Sequence, residues 1–167
     1  RYDSIAVSCH KFFGFPSPAG LFITPRTNFE AFHAQFGQVH ESEYILQVPG
    51  TITCSRDAVK PAEFYFFSSA SSFTKQAADA RAMLDNAAYL LKEMVTHYGH
   101  LHPVRVNPQS NIIYFRKPSD AVVNRYNLAT MGLTIDGQQA PCAHVVVMPH
   151  ASKGILDRFV RSFWKKH

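Results

Sequence analysis

The chain has 167 residues, 46% of them apolar and 17% charged, where an ordinary soluble domain carries roughly 25% charged, and that balance excludes a disordered chain. Lys and Arg outnumber Asp and Glu by 17 to 12, a formal charge of +5, yet Arg158, Arg161, Lys165 and Lys166 fall on one terminal amphipathic run, so the excess reads as a solvated helix face rather than a nucleic-acid footprint. No stretch approaches the roughly 18 uninterrupted apolar residues of a membrane helix, and Cys9, Cys54 and Cys142, odd in number and without a Cys-x-x-Cys pair, suit a reducing, cytoplasmic setting better than a disulfide scaffold.

The chain opens at Arg1, without Met, directly on a strand-like run, Asp3 to Ser8, and this reads as a fragment of something longer. A turn-rich Pro16-Ser17-Pro18-Ala19-Gly20 and a β-like Leu21 to Thr24 follow. Phe29, Phe32, Phe36 and Val39 stand at helical spacing over Asn28 to His40, and Glu41 to Lys60, with Pro49-Gly50 and several small polar residues, predicts a long loop. Phe64 to Phe67 reads as helix from its neighbours. Over Lys75 to Tyr98 the apolar positions Ala80, Met83, Leu84, Ala87, Leu91, Met94, Val95 and Tyr98 follow helical spacing, with Gly99 as the stop. Asn111 to Phe115 predicts a strand, Ser119 to Tyr126 a short helix, Ala143 to Met148 a buried strand and Gly154 to Trp164 a closing helix with Ile155, Leu156, Phe159, Val160 and Phe163 on one face. Residues 61–167 thus form an α+β unit, and residues 1–60 the end of a different α/β layer.

Ser8-Cys9-His10-Lys11 follows the first strand and precedes Gly14 and Gly20. Open α/β sheets bind ligands at such strand ends. A lysine held neutral there can form a Schiff base, and Ser8 and His10 can donate to a phosphate beside it. Four residues alone more often describe an exposed loop lysine.

The longer run Ser-Cys-His-Lys-Phe-Phe-Gly-Phe-Pro-Ser-Pro-Ala-Gly at 8 to 20 resembles the lysine segment of the group II pyridoxal-phosphate decarboxylases, in the subgroup of bacterial histidine and plant serine decarboxylases. Tyr44-Ile45, Thr51 to Arg56, Asn107 to Ser110, Leu128 to Thr130 and Ala143 to His150 resemble later blocks of that subgroup in the same order. The resemblance implies the C-terminal part of a fold-type I enzyme of class α/β: residues 1–60 end the cofactor-binding large domain, and 61–167 form the small domain. It implies pyridoxal 5'-phosphate as cofactor, Lys11 as the Schiff-base lysine, and Ser8 and His10 beside the cofactor phosphate. Ser55 then approaches the neighbouring subunit's cofactor in a homodimer with shared active sites, and Ser110 lies near the substrate. The implied reaction is decarboxylation of an amino acid, with L-histidine giving histamine and CO2 as the first choice.

Several positions depart from the subgroup. Cys9 stands where Gly is usual, Phe15 where a small residue is common, Ala19 where Cys is common, and Asp57-Ala58 replaces Asn-Gly, while Thr134 to Cys142 reads as an insertion. Bulky side chains at 9 and 15 are expected to narrow the pocket beside Lys11. The aspartate that pairs with the pyridine nitrogen and the ring that stacks on the cofactor are expected in an N-terminal segment before Arg1, so the isolated chain is expected to be inactive. The competing reading is a non-catalytic binding or assembly module derived from such a decarboxylase. His97, His100 and His102 are read as helix-end histidines rather than metal ligands, His144 and His150 as hydrogen-bonded structural histidines, and Phe12-Phe13 and Phe64 to Phe67 as core or interface rather than a base-stacking platform.

Overall fold

The computed structural model describes residues 2–40, 57–135 and 137–164, with residues 36–40 as backbone only. The chain divides into two compact units, Arg1–Phe73 and Thr74–His167.

In the first unit β1 (Ile5–Ser8) and β2 (Gly20–Ile23) form an antiparallel pair, with Ile5 opposite Ile23 and Ser8 opposite Gly20. Helix α1 (Arg26–His40) covers the predicted Asn28 to His40 and begins two residues earlier, after Pro25. The expected loop of residues 41–60 lies mostly outside the described residues. Its last two residues already belong to α2 (Val59–Phe67), which contains the Phe64 to Phe67 run in the helical form expected of it. Pro61 sits in the first turn of α2, where its missing N–H costs nothing.

The second unit is built on α3 (Ala70–Tyr98), whose first turn belongs to the first unit. Its buried stripe is Ala87, Leu90, Met94 and Tyr98, steps of three, four and four that keep one face inward. Leu90 rather than Leu91 is fully buried, and Val95, expected on the apolar face, is exposed. The helix stops ahead of Gly99 as expected, but Gly99 opens a short 3₁₀ turn, Gly99–Leu101, and the residue with left-handed backbone is His102, φ 48°.

A three-stranded antiparallel sheet follows, in the order β3 (Ile112–Arg116), β5 (Gln138–Val146), β4 (Ala129–Ile135). Phe115 lies opposite Ala143, and Met131 opposite Cys142. The apparent insertion over Thr134 to Cys142 is the turn end of the β4–β5 hairpin, with Gly137 at φ 77°, a conformation glycine adopts without penalty. Between β3 and β4 runs α4 (Asp120–Tyr126), which ends at Asn127 in the left-handed conformation, its N–H returning to the Val123 carbonyl.

Helix α5 (Lys153–Ser162) closes the described chain and buries Leu156, Phe159 and Val160, while Ile155 remains partly exposed. These side chains join the α3 stripe, Ile113, Phe115, Ala143 and Val147 in one core. Full burial of each Leu, Phe or Met in it contributes roughly 1.5–3 kcal/mol. Among the described residues, no helix is long and apolar enough to cross a membrane.

Candidate functional site

The loop from Ser8 to Gly20 closes on itself through its backbone. Lys11 N–H donates to the Ser8 carbonyl at 3.2 Å and Gly14 N–H to the Lys11 carbonyl at 3.1 Å, so two tight turns meet at Lys11. Cys9 then serves both halves of the loop: its carbonyl accepts from Phe15 N–H at 3.2 Å and its N–H donates to the Ala19 carbonyl at 2.9 Å. The second turn needs Gly14, whose φ is 76°. Local turn chemistry therefore presents Lys11 at the end of β1 with its side chain exposed.

His10 is fixed by the same closure. Ala19 N–H donates to its Nδ1 at 3.2 Å, and the Ala19 carbonyl lies 3.0 Å from that atom. Both contacts converge on Nδ1, so the tautomer decides whether that atom accepts from the amide or donates to the carbonyl, and the imidazole itself is exposed. Ser8 is half-buried at the strand end, and among the described residues neither its hydroxyl nor the Lys11 amine has a hydrogen-bond or ion-pair partner. An unengaged amine, a hydroxyl and an imidazole N–H within four residues make a donor set suited to a phosphorylated aldehyde. An open hollow of about 410 Å³ along β1 and β2 is lined by Ala6, Val7, Ser8, Gly20, Leu21 and Phe22. Of the three predicted residues it takes in only Ser8.

The departures at 9 and 15 turn inward. Cys9 is 2% exposed and Phe15 6%, and Phe15 stacks on Phe67 with centroids 5.1 Å apart and planes 26° from parallel. Both bulky side chains are thus spent on packing, and among the lining residues of the adjacent hollow neither appears. Sequence reasoning also missed Lys60, whose ammonium donates to the Ser17 hydroxyl and to Glu63 at 2.9 Å. Lys60 and Glu63 can be paired from their spacing of three, but nothing in the sequence joins either to Ser17.

Ser55 lies outside the described residues. Ser110 belongs to the second unit, where an isolated bridge between Val104 and Tyr114 closes the loop around it. Its hydroxyl accepts from Ile112 N–H at 3.1 Å, and Arg105 donates to the carbonyls of Pro108 and Ser110. His97 faces Glu93 at 3.6 Å. The expectation of a hydrogen bond for His144 fails: its ring lies against Tyr114, centroids 5.3 Å apart, and its buried Nδ1 has no partner among the described residues. Among those residues no cluster of His, Cys, Asp or Glu suits a metal ion.

No family model matches the chain. It is 31% identical over 164 residues to serine decarboxylase 2 of Oryza sativa subsp. japonica, covering 98% of this chain and 32% of that protein. It is 27% identical to the histidine decarboxylase of Solanum lycopersicum, over 98% of this chain and 35% of the relative, and 26% identical to that of Pseudomonas entomophila, over 99% and 37%. The chain thus spans about a third of the length of the curated relatives it matches. Among solved structures, L-methionine decarboxylase from Streptomyces sp. 590 superposes with a TM-score of 0.73 at 26% identity, covering 96% of this chain and 31% of that one. Serine palmitoyltransferase of Sphingomonas wittichii, 16% identical with a TM-score of 0.55, shares the fold. The expected fold-type I class is borne out.

Proposed function

From a chain whose homologues along nearly its whole length are group II pyridoxal-phosphate decarboxylases, we propose that it is the C-terminal portion of such an amino-acid decarboxylase, with Lys11 as the covalent attachment point of the cofactor. The observation that carries this reading is the self-closed Ser8 to Gly20 loop, which presents an unengaged lysine at a strand end within three residues of a hydroxyl and an imidazole.

The residues present fit pyridoxal 5'-phosphate. When bound, the cofactor supplies an electron sink for the pair left behind as the substrate carboxylate departs as CO2. Ser8 and His10 would hold its phosphate through charge-assisted hydrogen bonds. Lys11 would retain the cofactor between turnovers and release the product amine. Ser110, its hydroxyl steadied by Ile112 N–H, is the residue we assign near the substrate, and Ser55 the one we assign to the neighbouring subunit's site in a homodimer.

L-histidine is the substrate we propose, since histidine decarboxylases of plant and bacterial origin are among the relatives; L-serine and L-methionine are the competitors that the remaining relatives suggest. Borohydride reduction of the protein in pyridoxal phosphate, followed by peptide mapping, should mark Lys11, and Lys11→Ala should abolish that label. A label confined to other lysines removes the assignment. Release of CO2 from the three amino acids by the full-length protein then ranks the substrates.

A further inference from the structure

We propose that Lys60 is a positioning residue for the Lys11 loop, which it fastens to α2 through Ser17. The proposal rests on the reading of Lys11 as the cofactor lysine.

The need for a fastening follows from the loop's own hydrogen bonds. The stretch from Ser8 to Phe15 is closed by the Ser8–Lys11, Lys11–Gly14 and Cys9–Phe15 bonds, and Cys9 reaches across to Ala19. Between these ends lies Pro16-Ser17-Pro18. Two of its three residues have no N–H, so the backbone of this arm offers a single donor. Its anchor is a side chain: the Lys60 ammonium donates to the Ser17 hydroxyl, 43 positions away in sequence.

Lys60 is itself held. Glu63 lies 2.9 Å and Asp57 3.5 Å from its Nζ, with side-chain exposures of 24% for Lys60 and 13% for Glu63. The hydrogen bond that Lys60 donates to Glu63 leads the influences that raise its pKa, so the ammonium stays charged across the neutral range. One turn beyond Glu63, Phe67 receives the Phe15 ring. Positions 60, 63 and 67 stand at i, i+3 and i+7, one face of a helix. That face thus meets the Lys11 loop twice, once through a charged donor and once through an aromatic stack, while Tyr65 on another face is 84% exposed. The stack fixes the arm at Phe15, and Lys60 fixes it two residues further on, on the side of the loop that returns to β2.

The test compares the chain with Ser17→Ala, Lys60→Met and Lys60→Arg, using Lys75→Met as a control because Lys75 is an exposed lysine paired on its own helix. Amide hydrogen exchange is followed across residues 9–20 and across 86–98, and pyridoxal phosphate trapped at Lys11 is titrated by borohydride. Ser17→Ala and Lys60→Met are expected to speed exchange across 9–20 at least tenfold, leave 86–98 unchanged, and weaken trapping at Lys11 at least threefold. Lys60→Arg should restore most of both, and the control should change neither. Ser17→Ala removes one hydroxyl and leaves the Lys60–Glu63 pair intact, so it decides the matter should Lys60→Met fold poorly. Wild-type label at Lys11 with exchange and trapping unchanged by Ser17→Ala overturns the fastening. No wild-type label at Lys11 overturns the cofactor reading instead, whatever the exchange shows.

Discussion

The Tyr89 hydroxyl donates to the Asp157 carboxylate at 2.6 Å, joining the middle of α3 to α5 across 68 positions of sequence. The Lys153 ammonium lies over the same ring, 5.2 Å from its centroid. Hydrogen bonding to Asp157, then desolvation, then the charges of Asp157 and Glu93 push the phenol pKa up from 10.0 to about 12.

A pH dependence follows, with a definite sign. The folded pKa lies above the unfolded one, so folding favours the protonated phenol. The contribution is complete below the unfolded value of 10.0 and is lost as pH rises through the folded value of about 12. The difference in urea midpoint between wild type and Tyr89→Phe should therefore be constant from about pH 7 to 9 and shrink toward zero near pH 12. A difference that widens above pH 10 would contradict the bond.

Gly14 offers a test of the lysine loop that avoids steric confusion. Its φ is 76°, yet a Cβ there would meet nothing within 4 Å. Gly14→Ala should cost roughly 1–2 kcal/mol through backbone conformation alone, read as faster exchange of the Phe15 amide that donates to Cys9. Asn, which tolerates this region better, should cost less. Equal losses for the two substitutions would point to packing rather than φ.

Leu90 is fully buried in the second unit's core. Leu90→Ala should destabilise the chain by about 2–5 kcal/mol, whereas Leu91→Ala, at a half-buried position on the same helix, should cost clearly less. Chemical denaturation of the pair settles which leucine carries the packing.

Arg105 is expected to control the loop holding Ser110. Its guanidinium satisfies the Pro108 and Ser110 carbonyls, and hydrogen bonds from a charged donor are worth about 1.5–3 kcal/mol. Arg105→Met should raise amide exchange over residues 107–112 while leaving the α3 stripe protected. Arg105→Lys should recover only part of that protection, because an ammonium lacks the planar fork.

Helices were readable where the amphipathic period ran unbroken, as in α3 and α5. The error at Leu90 and Leu91 comes from the helical period itself: from Ala87 both a step of three and a step of four stay near one face, and only the packing partners choose. Strand β4 went unread although Met131, Leu133 and Ile135 alternate with Thr130, Gly132 and Thr134 ahead of an Asp-Gly dipeptide, a sequence signal for a hairpin turn. Its interior glycine and short side chains masked the signal. At the candidate site, Ser8, His10 and Lys11 were legible because local turns place them. The Phe15–Phe67 stack and the Lys60–Ser17 bond were not, since each joins positions more than forty residues apart whose proximity only the fold decides.

The order of the sheet bears on how the molecule forms during synthesis. Strand β5 is the last of the three in the chain and lies between the other two, so β3 and β4 have no sheet partner in each other and must wait. A nascent chain that has emerged only as far as Gly137 carries the complete α3 stripe and both outer strands, but lacks the strand that pairs with both, leaving β3 only its single bridge to Val104. Until residues 138–146 follow, the edge of β3 that β5 will occupy stays open, the kind of edge that recruits neighbouring chains. Arrival of those nine residues supplies both ladders at once, and α5 then covers the surface they complete. Assembly of this unit is therefore gated by its C-terminal end, and a slow passage through the preceding codons would lengthen the interval in which it can aggregate.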